Sequence, residues 1–283
     1  MNTVENQTFD QERALYAANG LCVKNCAFDG PADGESALKE GRNLWVDHCF
    51  FNLRYPFWHD TGLRIDRSEM TTFCRAALWY AKDVVIRDTK IHGIKALREC
   101  DDVKMVGCDV VSPEFGWSVR GMDMEDCNVE SEYFMLRSEG LRFRSVRLQG
   151  KYSFQYIENS LFDGCTFHTK DAFWHAKNVT VRDSVIQGEY LAWYSENLTL
   201  IRCKIVGSQP LCYCKNLRLI DCEMVDTDLA FERSQVEATL TAPIDSIKNP
   251  ISGCIYAPAV GEIIRDIPDA CGQVVITPQC SCA

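Results

Sequence analysis

Five of the six tryptophans of this 283-residue chain share one position of a repeating pattern, five residues before the first apolar residue of each copy. They are Trp58, Trp79, Trp117, Trp174 and Trp193, and Arg98 holds the same position in another copy. The next position carries His59, Tyr80, Glu99, Arg137, Tyr156, His175, Tyr194 and Tyr213. Because unpaired burial of a polar side chain such as Arg98 is costly, both positions are predicted to face outward. Such a strip is typical of surfaces that bind flat apolar faces, for example sugar rings, and predicts a ligand-binding site. The alternative is that the tryptophans stack in the interior or beneath a terminal cap.

One carboxylate in this strip could act as a general acid or base, namely Glu99. Hydrolysis of a glycosidic bond normally needs two carboxylates about 5 to 10 Å apart, so a second would come from outside the strip. The candidates are Glu189, Asp60, Glu114 and Asp171. Under this hypothesis Glu99 and Glu189 are the catalytic residues, and Arg98 and Arg137 bind an anionic group of the substrate. The alternative interpretation of Glu99 is a surface ion pair.

A short repeat places these residues at regular intervals. Each copy has a large apolar residue, any residue, a second apolar residue, two of any type, a small residue, any residue and a third apolar residue. The clearest copies are residues 198–205 and 217–224, and from Thr89 onward the small residue recurs every 19 residues. A β-like unit of this length is too short for helical repeats of about 34 residues or propeller blades of about 40. The repeat therefore predicts a solenoid of strands.

The predicted fold class is all-β, a right-handed parallel β-helix of eleven coils, one for each copy of the repeat. We expect a single domain with an N-terminal cap at residues 1–15, coils at 16–240, a C-terminal cap at 241–279 and a tail at 280–283. A leucine-rich-repeat solenoid is the alternative, because its core phrase has a similar ending. That phrase also requires a Leu three residues before the first apolar position, and this chain lacks it there.

The 16 cysteines are interpreted mainly as packing residues. Many of them occupy the small position of the repeat, where Ser, Thr and Val also occur, so Cys acts there as a small buried side chain. The tail residues Cys280 and Cys282 are expected to be disordered. With no Cys-x-x-Cys pair, a zinc or iron–sulfur site is a weak alternative, and we predict no metal or cofactor.

Composition restricts the partners. The formal net charge of −10 disfavours a nucleic-acid backbone or an anionic membrane surface. The first residues lack the basic and apolar regions of a signal peptide, and no apolar run approaches a membrane span of about 18 residues. We therefore expect a cytoplasmic protein with reduced thiols. The sequence predicts no oligomeric state.

Several stretches carry a resemblance to a known family. They are residues 12–15 (ERAL), 34–40 (GESALKE), 170–174 (KDAFW), 188–191 (GEYL) and 244–250 (IDSIKNP). The chain resembles an uncharacterised family of bacterial proteins of unknown function with a pectin-lyase-like right-handed β-helix. The resemblance implies the fold and a capped domain but no reaction. The wider pectin-lyase-like group includes polysaccharide lyases, hydrolases and esterases, and this chain departs from the lyases in lacking their calcium-binding Asp cluster and export signal.

Three functions are compatible with these observations. The first is binding of a carbohydrate-like or other flat ligand along the outer Trp/Tyr/His strip, without catalysis. The second is a glycan-active enzyme, a hydrolase, lyase or epimerase, that uses Glu99 or Glu189. The third is a structural or protein-binding solenoid.

Overall fold

The structure is a computed structural model that describes residues 2–30 and 34–277. Contacts divide the chain into two compact units, Met1–Leu148 and Gln149–Ala283. The described residues form parallel strands and no helix, and they make turns of a β-solenoid, about 14 in all. The predicted parallel β-helix is confirmed, whereas the tail residues Cys280 and Cys282 lie outside the described part of the chain. No stretch of that part forms a helix long and apolar enough to cross a membrane.

In the first unit, each turn contributes a strand to two main parallel sheets. The first sheet contains Asn2–Glu5, Leu21–Lys24, Arg42–Asp47, Thr61–Asp66, Lys82–Arg87, Asp101–Val106, Arg120–Glu125 and Glu139–Arg144. The second contains Thr8–Phe9, Ala27–Phe28, Phe50–Phe51, Glu69–Met70, Lys90–Ile91, Asp109–Val111, Glu114–Phe115 and Asn128–Phe134. A third, shorter face contains Leu78–Trp79 and Leu97–Arg98. The strand Arg147–Ser153 contains the boundary between the units.

The second unit repeats this arrangement. Its first sheet contains Glu158–Asp163, Lys177–Arg182, Glu196–Ile201, Leu217–Val225, Gln235–Leu240, Ser252–Ala257 and Gln273–Ile276. Its second contains Thr166–Thr169, Val185–Gln187 and Lys204–Val206, which pairs with the last part of Leu217–Val225. Two further strands, Ile244–Lys248 and Val260–Ile264, pair with each other.

The predicted columns of apolar residues are register partners inside each unit. In the first unit Ile65 pairs with Ile86, and in the second Val181 pairs with Leu200. Side chains alternate along each strand, so Ile65 is fully buried while its neighbour Arg64 is exposed. Parallel stacking brings like side chains together, and the rings of Phe28 and Phe51 lie 4.8 Å apart with an interplanar angle of 2°.

The number of turns exceeds the predicted eleven because both predicted caps contain further rungs. Asn2–Glu5 pairs with Leu21–Lys24, and Gln273–Ile276 pairs with Ser252–Ala257. These segments lack the repeat phrase but keep alternating side chains and main-chain hydrogen bonds, which are sufficient for a strand. The phrase therefore identifies the regular rungs and misses irregular ones.

The cysteines are free thiols, and twelve of the fourteen in the described residues are buried. The small position of the repeat also has a hydrogen-bonding role that the sequence did not reveal. The amide of Cys165 donates to Ser184 Oγ at 3.0 Å, and the amide of Cys108 donates to Cys127 Sγ at 3.4 Å. Ser184 Oγ in turn donates to the carbonyl of Arg182. Cys, Ser and Thr are interchangeable there because each can both donate and accept a hydrogen bond.

Candidate ligand-binding surface

The tryptophans of the first unit lie half-buried on the outer surface in a ladder with cationic side chains. The rings of Trp58 and Trp79 stack 5.2 Å apart with an interplanar angle of 4°. The Arg98 guanidinium lies 5.0 Å from the ring centre of Trp79 and 4.5 Å from that of Trp117. Lys39 lies over the remaining face of Trp58, with its Nζ 5.5 Å from the ring centre. Both faces of Trp58 and of Trp79 are therefore covered by neighbours.

In the second unit, Trp174 and Trp193 stack in the same way, 5.4 Å apart with an interplanar angle of 3°. The ring of Tyr213 meets Trp193 edge-on at 5.6 Å. Like the tryptophans of the first unit, these two side chains are only partly exposed. The Trp position therefore forms short stacked ladders within each unit.

Every indole N–H in these ladders donates a hydrogen bond to a main-chain carbonyl that lies 16 to 18 residues later. The acceptors are Ala76 for Trp58, Lys95 for Trp79, Tyr133 for Trp117, Tyr190 for Trp174 and Gln209 for Trp193. Gln155 occupies the same position and donates through Nε2 to the Asp171 carbonyl at 3.2 Å. The five tryptophans and Gln155 thus use a side-chain N–H in the same way, and these indole N–H groups are not available to a ligand.

The following position forms a second ladder, which is more exposed. In the second unit Tyr156, His175, Tyr194 and Tyr213 stack in sequence with ring centres 4.8, 5.0 and 4.8 Å apart. We call these four residues the aromatic strip. In the first unit His59 and Tyr80 stack 4.8 Å apart. All six have φ between 56° and 62°, which is the left-handed turn conformation.

The prediction that ring faces are open to a ligand needs correction. Inside the aromatic strip the faces of His175 and Tyr194 are covered by the rings on either side, so the ring edges are what meet solvent. Among the described residues, no side-chain hydrogen bond is made by His175, Tyr194 or Tyr213. The strip therefore presents imidazole nitrogens and phenol hydroxyls at regular intervals, which suits hydrogen bonding to hydroxyl groups better than stacking.

The charged residues predicted near Glu99 are placed differently from the hypothesis. Arg98 is sandwiched between two indoles and lies 3.8 Å from Glu114, so its guanidinium is part of the ladder and is not free to bind an anion. Glu114 also lies 3.7 Å from Lys95 Nζ. Glu99 and Arg137 are exposed, and Glu99 has no ion pair among the described residues.

A pair of carboxylates on neighbouring rungs of the second unit has contrasting environments. Lys170 Nζ lies 3.1 Å from Glu189 Oε2, and this contact raises the pKa of Lys170. Asp171 is buried, and desolvation raises its pKa although the nearby Lys170 charge opposes the shift. The amide of Asp171 donates to the carbonyl of Glu189 at 3.0 Å, so the two residues are held on adjacent rungs. A carboxyl whose pKa is raised by burial thus lies near one that is paired with a lysine.

Asp60, another candidate from the sequence, is fully buried in the first unit. Its Oδ1 accepts a 2.8 Å hydrogen bond from the amide of Gly41, and its Oδ2 has no hydrogen-bond partner among the described residues. Desolvation raises the pKa of this carboxyl to about 8. No group of three or more His, Cys, Asp or Glu side chains arranged to hold a metal ion occurs in the described ranges.

Comparisons with solved structures return proteins of low sequence identity. The Azotobacter vinelandii mannuronan C-5 epimerase AlgE6 A-module is 11% identical, with 97% of this chain and 89% of that chain covered and a TM-score of 0.40. A tailspike double mutant of E. coli bacteriophage HK620, in complex with pentasaccharide, is 10% identical, with 98% and 70% covered and a TM-score of 0.44. PfbA, a surface adhesin of Streptococcus pneumoniae, is 10% identical, with 93% and 71% covered and a TM-score of 0.36. Likenesses of this strength do not bear on function.

No curated protein matches the chain. One family model, described as "Protein of unknown function (DUF3737)", matches residues 2–275 and so covers nearly the whole sequence. The extent of this match agrees with the resemblance carried by the five sequence stretches. The chain therefore belongs to the DUF3737 family of proteins of unknown function.

Proposed function

We propose that this protein is a cytoplasmic β-helix that binds a carbohydrate-like ligand along its outer aromatic residues. The observation that carries the proposal is the aromatic strip, four rings stacked at 4.8 to 5.0 Å with polar edges toward solvent. Its free thiols support a reducing compartment. The ligand is held mainly by hydrogen bonds from ring edges, and the flat sugar face has a smaller role than the sequence suggested.

Rigidity favours such a site. Trp193 contacts the rings of both Tyr194 and Tyr213 edge-on and is itself fixed by the hydrogen bond to Gln209. The ring edges are thus held in place before a ligand arrives, which lowers the entropic cost of binding. Evenly spaced donors and acceptors complement a chain of hydroxylated units that lies parallel to the ladder.

The test is calorimetric titration of wild-type protein and two variants with a panel of neutral and acidic oligosaccharides. Tyr194→Ala removes a central ring of the strip, and Tyr256→Ala is the matched control because Tyr256 is similarly exposed on another strand of the same unit. We expect Tyr194→Ala to weaken binding about tenfold, or ~1.4 kcal/mol, and Tyr256→Ala to leave it unchanged. Equal effects of the two variants, or no binding by wild-type protein, would contradict the proposal and favour a structural or protein-binding solenoid.

A glycan-active enzyme is the second candidate, and the Asp171 and Glu189 pair favours it. Asp171, whose pKa is raised by burial, would give a proton to a leaving oxygen, and Glu189 would accept one from an attacking water. The pair adjoins the Trp ladder, since Trp174 Nε1 donates to the carbonyl of Tyr190. Release of reducing ends from the same panel tests this candidate. Asp171→Asn should abolish turnover, and Asp163→Asn, which removes a partly exposed carboxylate paired with Arg182, should not.

A further inference from the structure

An open polar cleft lies in the first unit, whereas the aromatic strip belongs to the second. It encloses about 610 Å³, and three successive turns contribute two lining residues each. The lining residues are Ala17, Asn19, Glu40, Arg42, His59 and Thr61. Such a volume lies within the usual range for small-molecule sites, although the lining here is unusually polar.

Arg42 is an unpaired cation in this cleft. Its rung partners are Asn19 and Thr61, neither of which carries a charge. Three rungs from Arg42 in the same column, Asp101 lies 3.2 Å from Lys82 Nζ and 2.6 Å from Arg120 Nη2. Within the described ranges Arg42 makes no ion pair. A guanidinium without an internal acid partner offers its donor fork to an external oxyanion.

Two other lining residues, His59 and Glu40, carry groups that can bind hydroxyls. His59 stacks on Tyr80, and its ring nitrogens make no hydrogen bond to any described residue. Glu40 accepts a hydrogen bond from the Tyr16 hydroxyl, which raises the pKa of Tyr16. That contact leaves Glu40 with acceptor capacity for a ligand hydroxyl, since a carboxylate has about four lone-pair sites.

We propose that this cleft binds a small polyol that carries an oxyanion, with the oxyanion on Arg42 and the hydroxyls on Glu40 and His59. A purely anionic ligand would meet the charge of Glu40, whereas a purely neutral one would leave Arg42 unused. Asn19 and Thr61 supply further neutral donors and acceptors at the rim. A carboxylate and a phosphate are both suited to the guanidinium, and the two sources are distinguished by the probes below.

Asp60 does not line the cleft, but it is a fully buried carboxyl that adjoins two of the lining residues in the chain. It stands between the lining residues His59 and Thr61, and its Oδ1 binds the amide of Gly41, which stands between Glu40 and Arg42. Its Oδ2 is buried without a partner among the described residues. A neutral Asp60 tolerates an anion above it, while an ionised Asp60 repels one. The cleft is therefore expected to lose affinity as Asp60 ionises.

Four other charged or titratable groups lie around Asp60, and Asp60→Asn in the test below separates its contribution from theirs. Glu40 faces it from the preceding rung, Lys82 follows it on the next, and Arg42 and His59 flank it. Burial raises the pKa of Asp60 to about 8, so its ionisation falls between pH 7 and pH 9.

The test is calorimetric titration with gluconate, glycerol 3-phosphate and neutral sorbitol. We expect gluconate or glycerol 3-phosphate to bind and sorbitol to bind at least about tenfold more weakly. Arg42→Gln should remove this preference, whereas Arg120→Gln, in the same column but paired with Asp101, should keep it. Sorbitol binding as tight as both anions, no binding of either anion, or equal effects of the two arginine variants would overturn the proposal.

A second measurement tests the role of Asp60. Between pH 7.5 and pH 9 the neutral fraction of Asp60 should fall close to tenfold. We expect the affinity of the wild-type protein for the bound anion to fall by about the same factor. Asp60→Asn keeps the neutral shape and should show less than about a twofold change. A wild-type affinity that does not change with pH would show that Asp60 plays no part. Tyr194→Ala should leave gluconate binding unchanged, so failure here and failure of the aromatic strip are distinguishable.

Discussion

The indole N–H of Trp193 donates a 2.8 Å hydrogen bond to the main-chain oxygen of Gln209 on the next rung. The same bond recurs at the other four tryptophans of this position. At this position tryptophan therefore contributes a hydrogen-bond donor as well as an aromatic ring. The outer surface of the solenoid is stabilised by side chains that link successive rungs.

Replacing Trp193 with Phe tests the worth of this bond. The variant keeps an aromatic ring in the stack but leaves the Gln209 carbonyl without its donor. We expect the free energy of unfolding to fall by about 1 to 3 kcal/mol. Trp193→Gln, which restores a donor as Gln155 does naturally, should recover part of the loss when both variants are compared by denaturant unfolding. A phenylalanine variant as stable as wild type would show that the hydrogen bond is incidental.

The buried carboxyl of Asp60 predicts an unusual dependence of stability on pH. Burial raises the pKa of Asp60 in the folded protein to about 8, whereas an Asp in the unfolded chain has a pKa near 4. Between about pH 4 and pH 8 the folded protein therefore keeps a proton on Asp60 that the unfolded chain has lost. Stability from this group is therefore lost as pH rises through that window, by up to about 1.4 kcal/mol per pH unit.

Asp60→Asn removes this dependence. The variant should match wild type near pH 4 and exceed it by roughly 3 to 5 kcal/mol near pH 8, as measured by urea unfolding across that range. Asp163→Asn, which removes a partly exposed carboxylate, should change stability by less than about 1 kcal/mol. A constant difference between Asp60→Asn and wild type across the range would mean that Asp60 is already ionised in the fold.

Thiol reactivity tests the placement of the cysteines. Burial raises the pKa of Cys49 and of Cys214 to about 12, which suppresses the reactive thiolate. In native protein at pH 8 the twelve buried thiols should resist a disulfide reagent, while Cys271 reacts quickly. All 16 cysteines should react after unfolding. Fast modification of most thiols in native protein would contradict the buried columns.

An asparagine ladder in the second unit gives a further prediction. Asn197 donates through Nδ2 to Asn178 at 2.8 Å and accepts from Asn216 at 2.8 Å, with its backbone at φ 54°. Asn197→Gly keeps the backbone conformation and loses the ladder, so we expect a loss of about 1 kcal/mol. Asn197→Ala adds the cost of a left-handed backbone and should lose about 1 kcal/mol more by thermal unfolding. Equal stability of both variants would show that the turn conformation is not restrictive.

The interior columns could be predicted from the sequence because side chains alternate along a strand with a period of two, and stacked rungs repeat each position. Ile65, Val181 and Leu200 were assigned to the interior on this basis, and they are buried there. The irregular end rungs were missed because main-chain pairing needs no particular side chain. The indole hydrogen bonds and the covered ring faces could not be predicted from residue type. Both depend on the orientation of a side chain relative to the next rung.

Two features of the candidate sites had only weak signals in the sequence. Asp60 shares its position with Ser138 and Ser195, which are small buried side chains, so a carboxylate there departs from the pattern. Arg42 has uncharged neighbours in its column, and this becomes visible only when the register is known. The pattern of charges within each column marks both residues once the unequal spacing of the first rungs is taken into account.

Ring-selective NMR of tyrosine is the most direct test of the aromatic strip. The protein, labelled with ¹³C in its tyrosine rings, is titrated with the oligosaccharide panel. We predict that Tyr156, Tyr194 and Tyr213 shift together in a saturable manner while Tyr256 does not move. Absence of any saturable shift at these three rings, or an equal shift at Tyr256, would contradict ligand binding at the strip.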